Sequence, residues 1–203
     1  MTTTDPLEVL ARIRRAPPRP RPGERCDMCN VLVAHEHEHV VNTDTRNLMC
    51  TCRGCWLLFT SDSAGRYRAV PDRYAVVDGF AISGDTWDSF QIPVSVAFFF
   101  INSSLGRVAA FYPSPAGATE SLLELDAWDD LAAANPLLAT LAPDVEALLL
   151  RVGDDGTDAF VVPIDACYEL VGHMRKLWRG FDGGREAKDA LDGFFADVRG
   201  KCR

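Results

Sequence analysis

No stretch of this chain approaches the ~18 consecutive apolar residues of a membrane-spanning helix. The most apolar window, "IPVSVAFFFI" from Ile92 to Ile101, has the length of a strand. The N-terminal "MTTTDPLEVLARIRRAPPRP" has no apolar core and no small-residue cleavage site, so it does not read as a secretory signal, and a cytoplasmic location is expected. Basic residues are in deficit. With 21 Lys and Arg against 29 Asp and Glu, the net charge of −8 argues against nonspecific binding to nucleic acid or to an anionic membrane. GxSxG, P-loop, HExxH and dinucleotide fingerprints are also missing. Paired acids such as Asp129–Asp130 and Asp154–Asp155 sit in polar, turn-like contexts, without the burial that tunes a general acid. These absences point away from an enzyme.

Cysteine, by contrast, is plentiful and unevenly placed. Five of the seven cysteines and three of the four histidines fall in "RCDMCNVLVAHEHEHVVNTDTRNLMCTCRGCWLLF", Arg25 to Phe59. In a reducing compartment such clustering indicates metal or redox chemistry, not a disulfide framework. Cys26 and Cys29 form one CxxC pair and Cys52 and Cys55 a second. Two residues between thiolates let a tight turn aim both sulfurs at one ion. Val31–Val41 is β-rich, Asn42–Arg46 is turn-rich and Leu48–Met49 leads back, so a hairpin is expected to bring the pairs together as in a zinc ribbon. Zinc is the expected ion. A rubredoxin-like Fe(Cys)4 centre or an iron–sulfur cluster could use the same thiolates, because spacing does not separate them. Cys50 is surplus and reads as a neighbouring thiol or a replacement ligand. His35, His37 and His39 alternate in "HEHEH" and would share a strand face, a possible second site for zinc or nickel against the plainer reading of an exposed polar surface.

The rest of the chain reads as α+β. Residues 1–24 comprise a short helix from Pro6 to about Ile13 and a Pro/Arg-rich linker, residues 25–60 the zinc-ribbon-like module, and residues 61–203 a mixed α+β domain ending in two helices. Strands are expected at Trp56–Thr60, Tyr67–Val70, Tyr74–Val77, Val94–Ile101 and Val108–Tyr112, with a surface loop at Pro113–Ser121. A short helix follows at Asp126–Ala134, then a hairpin of Val145–Val152 and Ala159–Ile164. Asp165 is positioned to cap a helix burying Cys167, Leu170, Val171 and Met174, and a last helix covers about Arg185–Val198 with Ala187, Ala190, Leu191, Phe194 and Val198 inward. Glycines at Gly180–Gly184 join these two helices. Cys202 reads as a free, frayed thiol.

The segments "RCDMC", "EHEHVV", "LMCTCRGCWLLF", "GRYRAVPDRY", "FYPSPAGATESLLELDAW", "PIDACYELVGHMRKLWRGF" and "FFADVR" resemble an actinobacterial family known as domain of unknown function 5947, over about Arg19 to Val198. The resemblance implies Cys26, Cys29, Cys52 and Cys55 as the metal-binding core and includes Cys50, His37 and His39 in the shared pattern. Asn30 stands where a glycine often follows the knuckle, and asparagine tolerates the same left-handed backbone. Members are often encoded near uptake [NiFe]-hydrogenase structural and maturation genes. That implies an accessory protein whose partner is a hydrogenase subunit or maturation factor. An electron-transfer or redox-protective iron protein is the alternative, and a protein delivering nickel or another metal is the third reading.

Overall fold

A computed structural model describes residues 23–61, 65–121, 128–153, 156–179 and 183–203. The expected N-terminal helix, most of its linker, the first residues of the helix expected from Asp126 and most of the Gly180–Gly184 turn lie outside the described residues. Two antiparallel sheets organise the chain. The smaller has the order β2-β1-β3, from β1 (Glu38–Asn42), β2 (Asn47–Thr51) and β3 (Tyr67–Ala69). The larger has the order β4-β9-β8-β5-β6-β7, from β4 (Ala75–Val76), β5 (Val96–Asn102), β6 (Arg107–Ser114), β7 (Gly117–Ser121), β8 (Glu146–Gly153) and β9 (Gly156–Pro163). Five α-helices accompany them among the described residues: α1 (Arg53–Leu57), α2 (Gly84–Ser89), α3 (Trp128–Ala134), α4 (Ile164–Leu177) and α5 (Gly184–Lys201). The expected mixed α+β class is therefore observed.

The central strands of the large sheet are apolar at nearly every position because both faces are covered. In β5, Val96, Phe98 and Phe100 face one core and Ala97 and Phe99 the other. Strand β8 alternates likewise, with Ala147 and Leu149 against Leu148 and Leu150, as does β9 with Phe160 and Val162 against Ala159 and Val161. Side chains at successive strand positions point to opposite faces, so a continuous apolar run becomes a two-sided core. Cys167, Leu170, Val171 and Met174 of α4, with Ala187, Phe195 and Val198 of α5, cover the first face. Phe90, Trp128, Leu131 and Leu138 cover the second. Val41 of β1 and Val70 after β3 belong to the first core, so the small sheet is anchored to the same apolar cluster as α4.

Four elements differ from the sequence reading. Trp56–Thr60 is not a strand: α1 occupies Arg53–Leu57 and is followed by turns, with the Trp56 indole donating to the Val70 carbonyl at 2.9 Å. Pro113–Ser121 is not a loop, because β6 runs to Ser114 and pairs with β7 through Ser114↔Gly117. An edge strand is covered less completely than a central one, and "GATES" therefore carries the polar composition of a loop. Helix α4 begins at Ile164 with Pro163 at its N-cap, so Asp165 lies inside the first turn and does not cap the helix. Helix α2, with the Ser83 hydroxyl accepting from Thr86 N–H at 3.1 Å, had no counterpart in the sequence reading.

Candidate metal centre

The first knuckle is a turn closed by two backbone hydrogen bonds, Cys26 N–H to Val31 O at 2.9 Å and Asn30 N–H to Cys26 O at 2.8 Å. Asn30 has φ 63°, the left-handed conformation expected of the residue after a knuckle. Asp27 ties this turn to β2 at both ends of one residue. Its N–H donates to the Cys50 carbonyl and its carboxylate accepts from Cys50 N–H, each at 2.8 Å. The second knuckle is built differently. Cys52 is the N-cap of α1, with extended backbone, and Cys55 lies in the first turn. Residues three apart on a helix share a side, so the turn of α1 holds both sulfurs together, which a strand through Cys55 would not do.

The hairpin of β1 and β2 then brings the knuckles face to face. Ligand atoms of Cys26, Cys29, Cys52 and Cys55 all lie within 4.8 Å of one another. The Cys29 and Cys52 sulfurs are 3.7 Å apart. That is far longer than the ~2.05 Å of a disulfide. It matches the edge of about 3.8 Å of a sulfur tetrahedron built on ~2.3 Å metal–sulfur bonds. All seven cysteines are free thiols. The donor set and its dimensions fit a four-coordinate thiophilic ion, which would make four thiolates compatible at this spacing.

The electrostatics of the thiols support the same assignment. Burial pushes Cys26 up, but the backbone N–H groups of Cys52, Cys29 and Met28, with the Cys29 thiol, outweigh it and bring its pKa down to about 6. At Cys29 the Val31 N–H pulls downward, yet hydrogen bonding with Cys26 and Cys52, together with desolvation, leaves the thiol raised. Hydrogen bonding with Cys29, then desolvation and the neighbouring Cys52 and Cys26, push Cys55 up to about 12. One ready thiolate therefore sits beside thiols that hold their protons, and a divalent cation is the partner that lets them ionise together.

Cys50 stands apart from this tetrad. It faces His39 across the β1–β2 ladder, and Thr51, completely buried, separates it from Cys52. A ligand atom of Cys50 lies within 4.8 Å of one from His37 and one from His39. Burial first, then Asp27, Glu24 and Cys26, raise the Cys50 pKa. The expected face of three histidines is not formed. The strand starts only at Glu38 and the chain bends at His35 and Glu36, so alternation stops short of His35, which is exposed. His37 and His39 remain together, their ring centroids 4.7 Å apart.

Asp165 was missed as a contributor. From the first turn of α4 it accepts a hydrogen bond from His39 Nδ1 at 2.9 Å, across 126 residues of sequence, and no local pattern announces such a contact. Cys167 is fully buried in the core as expected, and burial raises its pKa. Cys202 is not a frayed thiol, since it donates to the Val198 carbonyl at 3.2 Å just beyond α5.

Against known protein families, the chain matches a family of unknown function, DUF5947, over residues 25–202. The chain belongs to this family. Neither the curated proteins nor the solved structures give a significant match. The family match spans both the cysteine tetrad and the large sheet. No helix among the described residues is long and apolar enough to cross a membrane.

Proposed function

We propose that this DUF5947 protein is a zinc-binding, non-enzymatic accessory protein that acts in the cytoplasm, its Cys26–Cys29–Cys52–Cys55 centre holding one ion that fixes a docking module. The observation that carries this reading is the convergence of four thiols from two separate turns, with the 3.7 Å contact between Cys29 and Cys52. Four cysteines fill a tetrahedron and leave no position for substrate, which suits a structural ion better than a catalytic one. Iron in the same tetrad is the competing assignment.

Large exposed apolar side chains follow each knuckle. Val31 and Leu32 come just after Cys29, and Leu57 and Leu58 just after Cys55, with Leu58 69% exposed. Exposed apolar groups beside a rigid metal centre support a protein partner. The partner proposed is a [NiFe]-hydrogenase subunit or one of its maturation factors, from the gene neighbourhood that the family resemblance implies.

Metal analysis tests the first half. Anaerobically purified chain is expected to carry zinc in this centre, colourless and redox-silent, and Cys29→Ser is expected to remove that equivalent. Iron with reducible visible bands would replace the assignment with an electron carrier. For the partner, co-elution of the purified chain with each purified hydrogenase component is expected with one of them and lost in Leu32→Asp/Leu58→Asp. Unchanged co-elution of that variant would contradict the docking role of these residues.

A further inference from the structure

We propose that His37, His39 and Cys50 form a second metal site, distinct from the cysteine tetrad, that holds a late transition-metal ion such as Zn(II) or Co(II) through three protein ligands and keeps a coordination position open.

The orientation of the two imidazoles is the main support. His37 Nδ1 donates to the Ala34 carbonyl at 2.9 Å, and His39 Nδ1 donates to the Asp165 carboxylate at 2.9 Å. An oxygen of either kind accepts only, so each ring carries a proton on Nδ1, which leaves Nε2 as the nitrogen able to ligate. Metal-binding histidines are held in this way, one ring nitrogen fixed by a carbonyl or carboxylate while the other ligates. His37 Nε2 is buried and has no hydrogen-bond partner among the described residues, while the side chain as a whole is 7% exposed. A buried nitrogen acceptor without a partner is unfavourable, and an ion at that lone pair removes the deficit.

The third ligand is supplied by register. His39 and Cys50 are direct partners in the antiparallel ladder, which places their side chains on one face of the small sheet. One ring nitrogen from each histidine and the Cys50 sulfur lie within 4.8 Å of one another. Two imidazoles and a thiolate suit zinc and its neighbours, whereas calcium and magnesium require oxygen donors. Binding displaces the Cys50 proton to solvent and leaves both imidazoles neutral. Among the described residues only these three group as ligands here, because Asp165 is engaged behind His39 and the tetrad cysteines face their own centre. Three protein ligands leave a fourth position for water or a small exogenous ligand, the arrangement of reactive metal sites as opposed to closed structural ones.

The test is titration of the anaerobic, reduced apo chain with Co(II), read by absorption and by native mass spectrometry. Two equivalents are expected. Cys50→Ser and, separately, His37→Gln should each bind one, retaining the spectrum of the four-sulfur centre, which also reports that the fold is intact. Conversely, Cys29→Ser should keep the bands of the second site, so failure of the tetrad and failure of this site are distinguishable. Asp165→Ala is expected to weaken the second equivalent about 10–100-fold through loss of the hydrogen bond that orients His39. Azide should shift the cobalt bands assigned to the second site and leave those of the tetrad unchanged. A wild-type chain that binds one equivalent, with Cys50→Ser and His37→Gln unaltered, would overturn the second site. Two equivalents whose bands are both insensitive to azide would overturn its open position.

Discussion

Replacing Cys29 or Cys52 by serine removes one sulfur from the 3.7 Å contact at the centre of the tetrad, and each variant is expected to lose the stoichiometric ion of that centre in elemental analysis. Cys50→Ser should keep it, since Cys50 belongs with His37 and His39. The thiol environments also set the pH dependence. Cys29 and Cys55, with raised pKa values, still hold protons at neutral pH, so binding must displace them and affinity rises with pH. Cys26 is already a thiolate above about pH 6, whereas below it one further proton has to leave. A plot of log affinity against pH should therefore steepen by one proton as pH falls through about 6, and competition titrations with a chromophoric chelator measure it. At this scale the tetrad was legible because paired CxxC spacing is itself the chemistry of the site. The linkage from Asp165 to His39 was not, because residues 126 apart meet only in the tertiary fold, where α4 and Val41 of β1 share one apolar core.

Elements rather than residues decide how firmly the site is held. Glu146, 2% exposed at the start of β8, accepts from Arg73 at 3.0 Å and from Ala142 N–H at 2.8 Å, which ties the segment ahead of β4 to β8 and the loop before it. Arg73→Ala leaves that carboxylate buried without its cation, and a loss of at most about 3 kcal/mol is expected in urea unfolding, the low end for a broken buried pair because Arg73 is 35% exposed and the Ala142 bond remains. Leu149, fully buried in β8, packs in the core beneath α4, and Leu149→Ala should cost about 2–5 kcal/mol. The strands of the large sheet other than β7 were visible as apolar runs bounded by Gly and Asn turns. Helix α1 was hidden because Trp56, Leu57, Leu58 and Phe59 have the composition of a strand, while the need to place Cys52 and Cys55 on one side favours a helical turn. Edge strand β7 was hidden for the opposite reason, its polarity matching that of a loop.

For the whole molecule, the apolar cores and the thiol centre make different contributions. The large sheet is covered on both faces by apolar side chains, whereas the first knuckle is held by a few backbone bonds and the Asp27–Cys50 clamp. Chelation is therefore expected to raise amide exchange at Cys26, Asn30 and Cys50 while β5, β8 and β9 stay protected, as hydrogen–deuterium exchange by NMR can resolve. Equal loss across both sheets would mean that the ion supports the entire fold. The most direct test of the account is the metal content and absorption spectrum of the untagged chain purified without oxygen, set beside those of Cys29→Ser. Zinc without visible bands is expected, reduced by one equivalent in the variant. A chain whose metal content is unchanged by loss of Cys29 would contradict it.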